Sequence, residues 1–578
     1  MSRRRRVVLG AICAGALLLV PAPAAWAHAA LLRTSPQASG TVNGSPARVT
    51  LGYSEVIEPR FAIISVTDAA GHQQVSGSPY RLATDATTLA VPVRHLPAGW
   101  YLVYWRVISA DGHPVRGAFT FAVGPNPGPA PQFVIPSLSE TAATPPLVAA
   151  RWAAFISVML AVGLFFLRTV IARPAVSEAA GAARAVSVAL SVALAAALIA
   201  IPAYTAMTTA SFALRSVFDV SAIVPLVRAS ALGRAFTDLE LVVALFAIAA
   251  AVGIRLDRMP GRPRSVAALL AWIGALLSAA AMLAIPGLAG HAAQTSPAAL
   301  SLALDWVHLA AGSVWLGGLA GLLVFASRLP AGHRRDLLAT VVPRFSRLAM
   351  LAVLALILSG VGSSLQHLPT LSSLWQTSYG QAILVKVALL SVALVLGAIN
   401  FSRTVPRLVA ARSRRDTGLG DSAAALLRRT ITGELVLVAG IVAAAMALSS
   451  LPPPAKALGQ LGHVDAHVGP GRVVRTVHRG GYKLDISITP NRAASPSQFS
   501  VTITHGGKPV TGATVIEHFA MLDMEMGQQA YTLTESPPGT YSRSAPALVM
   551  AGHWGLSFDV EPVGAAPFSV ILVDKAEG

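Results

Sequence analysis

Residues 185–207 read AVSVALSVALAAALIAIPAYTAM, a run without a charged side chain. A helix rises about 1.5 Å per residue, so about 20 apolar residues cross the hydrocarbon core of a bilayer. This stretch therefore predicts a membrane-spanning helix. Seven similar segments centre on 147–170, 237–254, 265–286, 299–325, 346–364, 380–400 and 430–450. Together they predict an all-α, eight-helix transmembrane domain over residues 146–451.

The composition of the whole chain supports a membrane protein. Of 578 residues, 54% are hydrophobic and only 12% are charged, whereas roughly a quarter of the residues of a soluble protein are charged. The net charge of +18 does not indicate nucleic-acid binding, because the arginines lie in short loops between apolar segments. If residue 28 is outside, the inward loops hold 19 arginines and the outward loops three. This asymmetry predicts a multi-pass protein of the cytoplasmic membrane with both termini of the mature chain outside.

The N-terminus has the features of a secretory signal peptide over residues 1–27. Four arginines precede an apolar core, and Ala25-Trp26-Ala27 has the form of a cleavage site. An uncleaved anchor is the alternative. Cleavage would remove the only cysteine, Cys13, and would exclude disulfides and thiolate metal sites from the mature chain.

The regions that flank the membrane domain have the pattern of β-sheet domains. Short alternating apolar runs over residues 28–124 predict an all-β, immunoglobulin-like sandwich. A Pro-rich linker, residues 125–145, follows it. Residues 452–480 form a second predicted linker, and alternation over residues 481–578 predicts a small C-terminal β-sandwich.

Cleavage after Ala27 would create a nitrogen-rich metal site at His28. Its free α-amine and imidazole could chelate one ion, and tetragonal nitrogen and oxygen coordination suits Cu(II). Asp111 and His113 offer a carboxylate and an imidazole two residues apart. Taken alone, this D-x-H pattern is also typical of a turn cap followed by a surface histidine.

The first β-domain resembles the CopC copper-binding family across nearly all of residues 28–124. The matching segments are HAALL at 28–32, SP at 35–36, LGYSE at 51–55 and YWRVISADGHP at 104–114. The resemblance implies that His28, Asp111 and His113 bind Cu(II) and that Glu55 lies beside them. No methionine occurs between His28 and Gly124, so we expect no Cu(I) site in this domain.

Ionisable residues inside the predicted spans are functional candidates, because a charge is costly there. Asp305 and His308 share one face of the fifth span at i, i+3 spacing, and His291 precedes it. Pairing of Asp305 with His308, and of Lys386 with Glu434, would be the structural alternative. Haem ligation by two membrane histidines is also open at this point.

Residues 146–450 resemble the CopD copper-resistance membrane family. The matching segments are GHA at 290–292, DWVH at 305–308, WLGGL at 315–319 and YGQAILVK at 379–386. The resemblance implies copper handling, with His291 and His308 as ligands and Asp305 as their partner. We interpret Gly317 and Gly318 as sites of close helix packing.

Methionines cluster in the last domain. Met521, Met524 and Met526 lie near His518, and His553 follows later. Thioether and imidazole ligands favour Cu(I), which makes Met524 and Met526 candidate ligands, although core packing explains the same spacing. The segment from about 482 to 560, including GHW at 552–554, is similar to YtkA-like domains found with copper proteins.

These observations predict a CopC–CopD fusion that captures Cu(II) outside the membrane and passes it into or across the bilayer. We expect no enzymatic activity and no ATP-driven step, since no nucleotide motif occurs. The predicted partners are copper and lipid, with a periplasmic copper chaperone or reductase as a candidate. Sequestration without transport, as in copper resistance, and a haem redox protein are the alternatives.

Overall fold

The structure is a computed structural model of the chain. It describes residues 29, 31–38, 40–109, 114–125, 144–214, 216–219, 221, 223–229, 231–257, 263–295, 297–451, 463–493, 496–523, 529–545, 547–549 and 551–577. The chain divides into two compact units, one of them helical and the other containing both β-domains.

The helical unit contains long helices joined by short connections. Its helices are α1 Pro145–Phe166, α2 Ala180–Ala213, α3 Ile223–Ala229, α4 Ala231–Leu256, α5 Val266–Ala289, α6 His291–Gln294, α7 Ala298–Ser327, α8 Arg334–His367, α9 Ser373–Gln376, α10 Ser378–Ile399, α11 Val405–Arg414 and α12 Thr417–Leu448. One π-helical turn, Leu167–Ile171, follows α1, and another, Asn400–Thr404, joins α10 to α11.

Eight of the described helical segments are long and apolar enough to cross a bilayer, which confirms the predicted number. Two of them begin more than ten residues before their apolar segments. The sixth begins at Arg334 and the eighth at Thr417, about three turns before the predicted starts at 346 and 430. Apolar content reports where a helix meets lipid, whereas the helix itself continues through residues with good helix propensity such as Arg335.

Close helix packing occurs where glycines meet. A Cβ at Gly317 of α7 would lie 2.6 Å from the Cα of Gly163 of α1. A Cβ at Gly318 would collide with the Phe345 ring of α8. Neither position therefore has room for a larger residue, as the sequence predicted for this pair.

The N-terminal β-domain is a sandwich of two four-stranded sheets, with strand orders β1-β3-β6-β5 and β2-β8-β7-β4. Its strands are β1 Leu31–Ser35, β2 Thr41–Val42, β3 Arg48–Tyr53, β4 Ile63–Asp68, β5 Tyr80–Leu82, β6 Asp85–Pro92, β7 Gly99–Ile108 and β8 Pro114–Val123. Strands β3 and β7 coincide with the apolar runs at 48–53 and 99–108 of the sequence. Their alternate side chains fill the core between the sheets.

The C-terminal β-domain also consists of two sheets. One has the order β10-β11-β12-β17-β16 with β13 on β12, and the other has the order β15-β14-β18-β19-β9. The strands are β9 Ala466–Val468, β10 Val473–Arg479, β11 Tyr482–Thr489, β12 Ser497–His505, β13 Lys508–Pro509, β14 Thr514–Met521, β15 Gln529–Thr532, β16 Thr534–Glu535, β17 Thr540–Ala545, β18 Gly552–Glu561 and β19 Phe568–Ala576.

The two β-domains contact each other within their unit. The backbone N–H of Ala118 on β8 donates a 3.1 Å hydrogen bond to the carbonyl oxygen of Val549. Beside it, Leu102 and Ala118 form a small buried cluster with Ala493. The outer face of the β7–β8 pair is therefore covered by the C-terminal domain.

Candidate metal sites

The predicted Cu(II) ligands His28, Asp111 and His113 lie outside the described residues. The strands that flank the last two are described: β7 ends at Ile108, which pairs with Pro114 at the start of β8. Glu55 follows the end of β3 and is half-buried. The ligand set implied by the resemblance therefore stays a prediction.

Two aromatic side chains lie in the core beneath the end of β3. Tyr53 and Trp105 are 2% and 1% exposed, and their rings meet edge to face at 5.8 Å. The Tyr53 hydroxyl and the Trp105 indole nitrogen have no hydrogen-bond partner among the described residues. Burial raises the pKa of Tyr53 well above its usual value, so this phenol stays neutral. Both residues are core aromatics.

Two buried arginines next to the predicted ligands were missed from the sequence. Arg106 and Arg116 oppose each other on β7 and β8 and are 3% and 5% exposed. The sequence contains a signal for both residues, because each arginine interrupts an otherwise apolar strand. A buried guanidinium needs compensating partners, so these residues are candidates for fixing the strand ends beside the site.

In the membrane domain, His308 of α7 faces α8. Its Nδ1 lies 3.0 Å from Ser359 Oγ. The Ser359 hydroxyl donates its own hydrogen to the Ala355 carbonyl oxygen, 2.6 Å away, so Nδ1–H is the donor to Ser359. In the neutral imidazole, Nε2 then carries the lone pair that a metal ion needs.

Asp305 of α7 lies against α5. A Cβ at Gly287 of α5 would lie 2.6 Å from Asp305 Oδ2, so this glycine makes room for the carboxylate. Lys386 of α10 interacts electrostatically with both Asp305 and His308. The structure thus brings Asp305, His308 and Lys386 into one polar cluster, although the sequence indicated only the first two.

The alternative pairing of Lys386 with Glu434 is wrong. Glu434 of α12 instead accepts a 2.6 Å hydrogen bond from Asn400 Nδ2. Asn400 lies 14 residues beyond Lys386, which corresponds to about 21 Å along a helix. The two charged side chains therefore occupy different depths in the helical unit.

A further histidine lies at the end of α8. His367 Nε2 is 3.2 Å from Thr295 Oγ1, and its Nδ1 is 2.8 Å from the Ser363 carbonyl oxygen. Thr295 directly follows α6, which begins at His291, whose side chain is outside the described part of the structure. The sequence signal was the spacing of Ser359, Ser363 and His367 at i, i+4, i+8 on one helix face.

In the C-terminal domain, Met524 and Met526 lie outside the described residues. Among their described neighbours, Asp523 accepts hydrogen bonds from the backbone N–H of His553 at 2.7 Å and from its Nδ1 at 3.0 Å. The Asp523 carboxylate raises the pKa of His553. Met521 is buried in the core. His518 is turned away and pairs with Asp559 at 3.2 Å.

Within the described ranges, no three histidine, cysteine, aspartate or glutamate side chains gather closely enough to hold a metal ion. The cluster at His308 supplies one imidazole nitrogen and one carboxylate. A metal ion there would have to complete its coordination from other groups, such as water or the His291 side chain.

Three families match the chain in order. Residues 31–124 match the CopC domain, residues 339–448 match copper resistance protein D, and residues 477–559 match the YtkA-like domain. On a chain with eight candidate spans, these matches define a multi-pass membrane protein of the copper-handling class. The chain belongs to the CopC–CopD fusion proteins, with a YtkA-like domain at its C-terminus.

Individual relatives agree with this assignment. The chain is 26% identical over 542 residues to the copper transport protein CutJ of Bacillus subtilis, covering 92% of each chain. It is 33% identical over 120 residues to copper resistance protein C of Escherichia coli, covering 20% of this chain and 94% of that protein. The crystal structure of CopC from Methylosinus trichosporium OB3b is 33% identical, with a TM-score of 0.16, and covers 18% of this chain and 99% of that one.

Proposed function

We propose that this protein captures Cu(II) outside the cytoplasmic membrane and passes copper into or across the bilayer. The observation that carries the proposal is the order of domains: a CopC domain precedes the spans on the same chain, and CutJ, named a copper transport protein, is similar over 92% of the chain. The copper ion is the cargo. The protein acts as a carrier without enzymatic activity.

Capture would take place in the N-terminal domain after removal of residues 1–27. The α-amine and imidazole of His28, the Asp111 carboxylate and the His113 imidazole form a nitrogen-rich set that suits Cu(II). Glu55 would steady this set from the end of β3. Loss of the amine proton on binding makes capture weaker as the pH falls.

Transfer within the membrane would use His308. Its Nε2 carries the free lone pair because Ser359 accepts the Nδ1 hydrogen. Asp305 supplies a negative charge beside the arriving cation, and Lys386 balances that charge when the site is empty. His291 would receive the ion first, near the outer surface.

Copper in the membrane and C-terminal domains would be Cu(I), for which methionine and histidine are suitable ligands. Met524 and Met526, with His553 held by Asp523, would form the C-terminal site. Reduction of Cu(II) requires an outside electron donor, and a reductase or a copper chaperone is the partner that fits this need.

Sequestration without transport is the second candidate function, because copper resistance protein C of Escherichia coli is 33% identical to the N-terminal domain region. Proteoliposomes that contain the purified protein distinguish the two functions. A carrier accumulates copper inside the vesicles over time, and His308→Ala abolishes the accumulation. A sequestering protein binds copper to a fixed stoichiometry, with none reaching the lumen.

A further inference from the structure

A second polar group lies in the helical unit, well separated from His308. Glu434 is 2% exposed in the middle of α12. Its Oε1 accepts a 2.6 Å hydrogen bond from Asn400 Nδ2, and the Trp315 side chain of α7 donates a further hydrogen bond to this carboxyl group. Two neutral donors thus face one acidic group.

The orientation of Asn400 is fixed by two hydroxyl groups. Its Oδ1 accepts hydrogen bonds from Thr430 at 2.6 Å and from Thr404 at 3.2 Å. With Oδ1 on the side of these hydroxyl groups, the amide NH₂ points toward Glu434. Asn400 also begins the π-helical turn Asn400–Thr404, and such turns occur frequently at functional sites in membrane and soluble helices.

A cavity of about 250 Å³ lies against Glu434. This volume is far above the roughly 10–15 Å³ that one water molecule requires. Its polar lining consists of Glu434, Asn400, Ser346 and Trp315, and the rest is apolar. The cavity is therefore large enough for water next to a carboxyl group that is otherwise shielded from solvent.

No positive charge balances Glu434 among the described residues that surround it. The facing groups are Trp315 from α7, Phe345 and Ser346 from α8, Asn400 from the π-helical turn, and Thr430 from α12. None of these side chains is ionisable. An isolated ionised carboxylate away from water costs several kcal/mol, so a bound proton is the simplest way to compensate its charge.

We propose that Glu434 is a proton-exchange site of the membrane domain. Its O–H bond breaks, the electron pair stays on the carboxylate, and the proton passes to cavity water. Reprotonation reverses this step. Asn400 and Trp315 stabilise the ionised form through their hydrogen bonds. The nitrogens that bond Glu434 are an amide N–H and an indole N–H, neither of which offers a lone pair to a metal ion.

The proton-exchange site also extends the proposed transport function. The coupling described in this paragraph rests on that proposed function. Asn400 and the cavity lie toward the arginine-rich α11, which is the predicted inward side. A proton released there as a copper ion passes would offset the charge that the ion carries. Proton exchange would then couple copper movement to the pH difference across the membrane.

Infrared difference spectroscopy of the full-length protein in lipid nanodiscs tests the site without copper. We expect a protonated-carboxyl C=O band that shifts in D₂O, because the proton exchanges with cavity water. Glu434→Gln should remove this band, and Asn400→Val should shift it through loss of the hydrogen bond. Glu240→Gln, which changes another carboxyl group within a span, is the matched control and should leave the band in place.

A wild-type minus Glu434→Gln difference spectrum that lacks this band, or a difference band that does not respond to D₂O, would overturn the proposal. Copper uptake by proteoliposomes under an imposed pH difference tests the coupling separately. Wild-type uptake should change with the pH difference, and Glu434→Gln uptake should not. If the wild type accumulates no copper, the proposed transport function fails, and the infrared result still decides the proton site.

Discussion

At His308, one hydrogen bond determines which ring nitrogen is available to a metal ion. The sequence predicted His308 and Asp305, because ionisable groups inside a span are costly. It could not predict Ser359, which is 51 residues away and becomes a neighbour only through helix packing. The positions of Lys386 beside Asp305 and of Asn400 beside Glu434 could not be predicted for the same reason. The sequence shows which segments span the membrane, but it does not show which faces of the helices pack together.

Removal of the Ser359 hydroxyl should weaken copper binding at His308. Ser359→Ala frees the imidazole to rotate and to change tautomer, and losses of this kind typically cost about 10- to 100-fold in metal affinity. Copper titration of the purified protein measures the change. Ser391→Ala is the matched control, because the one hydrogen bond of the Ser391 hydroxyl to a described residue goes to the Val387 carbonyl oxygen of its own helix. Equal affinities for the two variants would refute the assigned role of Ser359.

Glu517 makes the stability of the C-terminal domain depend on pH. It lies on β14 between the core residues Val515 and Phe519, is 0% exposed, and neither carboxyl oxygen has a partner among the described residues. Burial raises its pKa well above the usual value, with a further contribution from Asp574. The folded state therefore holds a proton that the unfolded state releases.

The sign of the pH effect follows from this difference. The contribution of Glu517 to the free energy of unfolding is fully present below the ordinary glutamate pKa of about 4.3. It is lost as the pH rises toward the raised pKa that Glu517 has in the folded state. Hydrogen–deuterium exchange of β14 in the full-length protein should become faster over this range. Glu517→Gln should remove the dependence and slow exchange at neutral pH, by roughly 1–3 kcal/mol in opening free energy. The exposed Glu561→Gln serves as control, and an unchanged pH profile in Glu517→Gln would contradict this account.

At the scale of elements, the apolar runs predicted the existence of the helices and of strands such as β3 and β7. They did not predict the starts of α8 and α12, because helical hydrogen bonds continue beyond the segment that contacts lipid. The π-helical turn at Asn400–Thr404 was also not predictable, since its residues have no local pattern that distinguishes them from a regular helix. Of the two glycines that meet between α1 and α7, the sequence indicated only Gly317 as a site of close packing.

Close packing of α1 on α7 should be sensitive to any added side chain at Gly317. A Cβ there would lie 2.6 Å from Gly163 Cα and 2.8 Å from the Leu160 carbonyl oxygen. Gly317→Val should destabilise the helical unit by roughly 1–3 kcal/mol, the usual cost of overpacking. Thermal unfolding in detergent measures this change. Gly181→Ala, in a helix position with open space, should be neutral or slightly stabilising, and equal destabilisation by both would argue against the contact.

At the scale of the whole molecule, the sequence predicted two separate β-domains and gave no sign that they touch. Their contact is formed by Leu102, Ala118 and Ala493, and nothing in the local sequence pattern distinguishes these residues from other apolar strand residues. The contact gives the CopC domain and the YtkA-like domain a common surface.

Cysteines placed across this contact should form a disulfide in the full chain. Ala118 and Val549 are joined by a backbone hydrogen bond, which brings their backbones close enough for a disulfide, whose Cα atoms lie about 4.4–6.8 Å apart. Ala118→Cys with Val549→Cys, in a background that lacks Cys13, should crosslink under mild oxidation. Ala118→Cys with Lys508→Cys, on an exposed hairpin, should not. Absence of the first crosslink would show that the domains do not share this surface.

Copper uptake through the N-terminal site is the central claim for the whole molecule. The direct measurement is cellular copper content at limiting external copper, in cells that lack the protein and are complemented by the wild type or by His28→Ala with cleavage verified. We expect copper-poor cells without the protein, full restoration by the wild type and little restoration by His28→Ala. Unchanged or higher copper in cells that lack the protein would contradict import and favour sequestration.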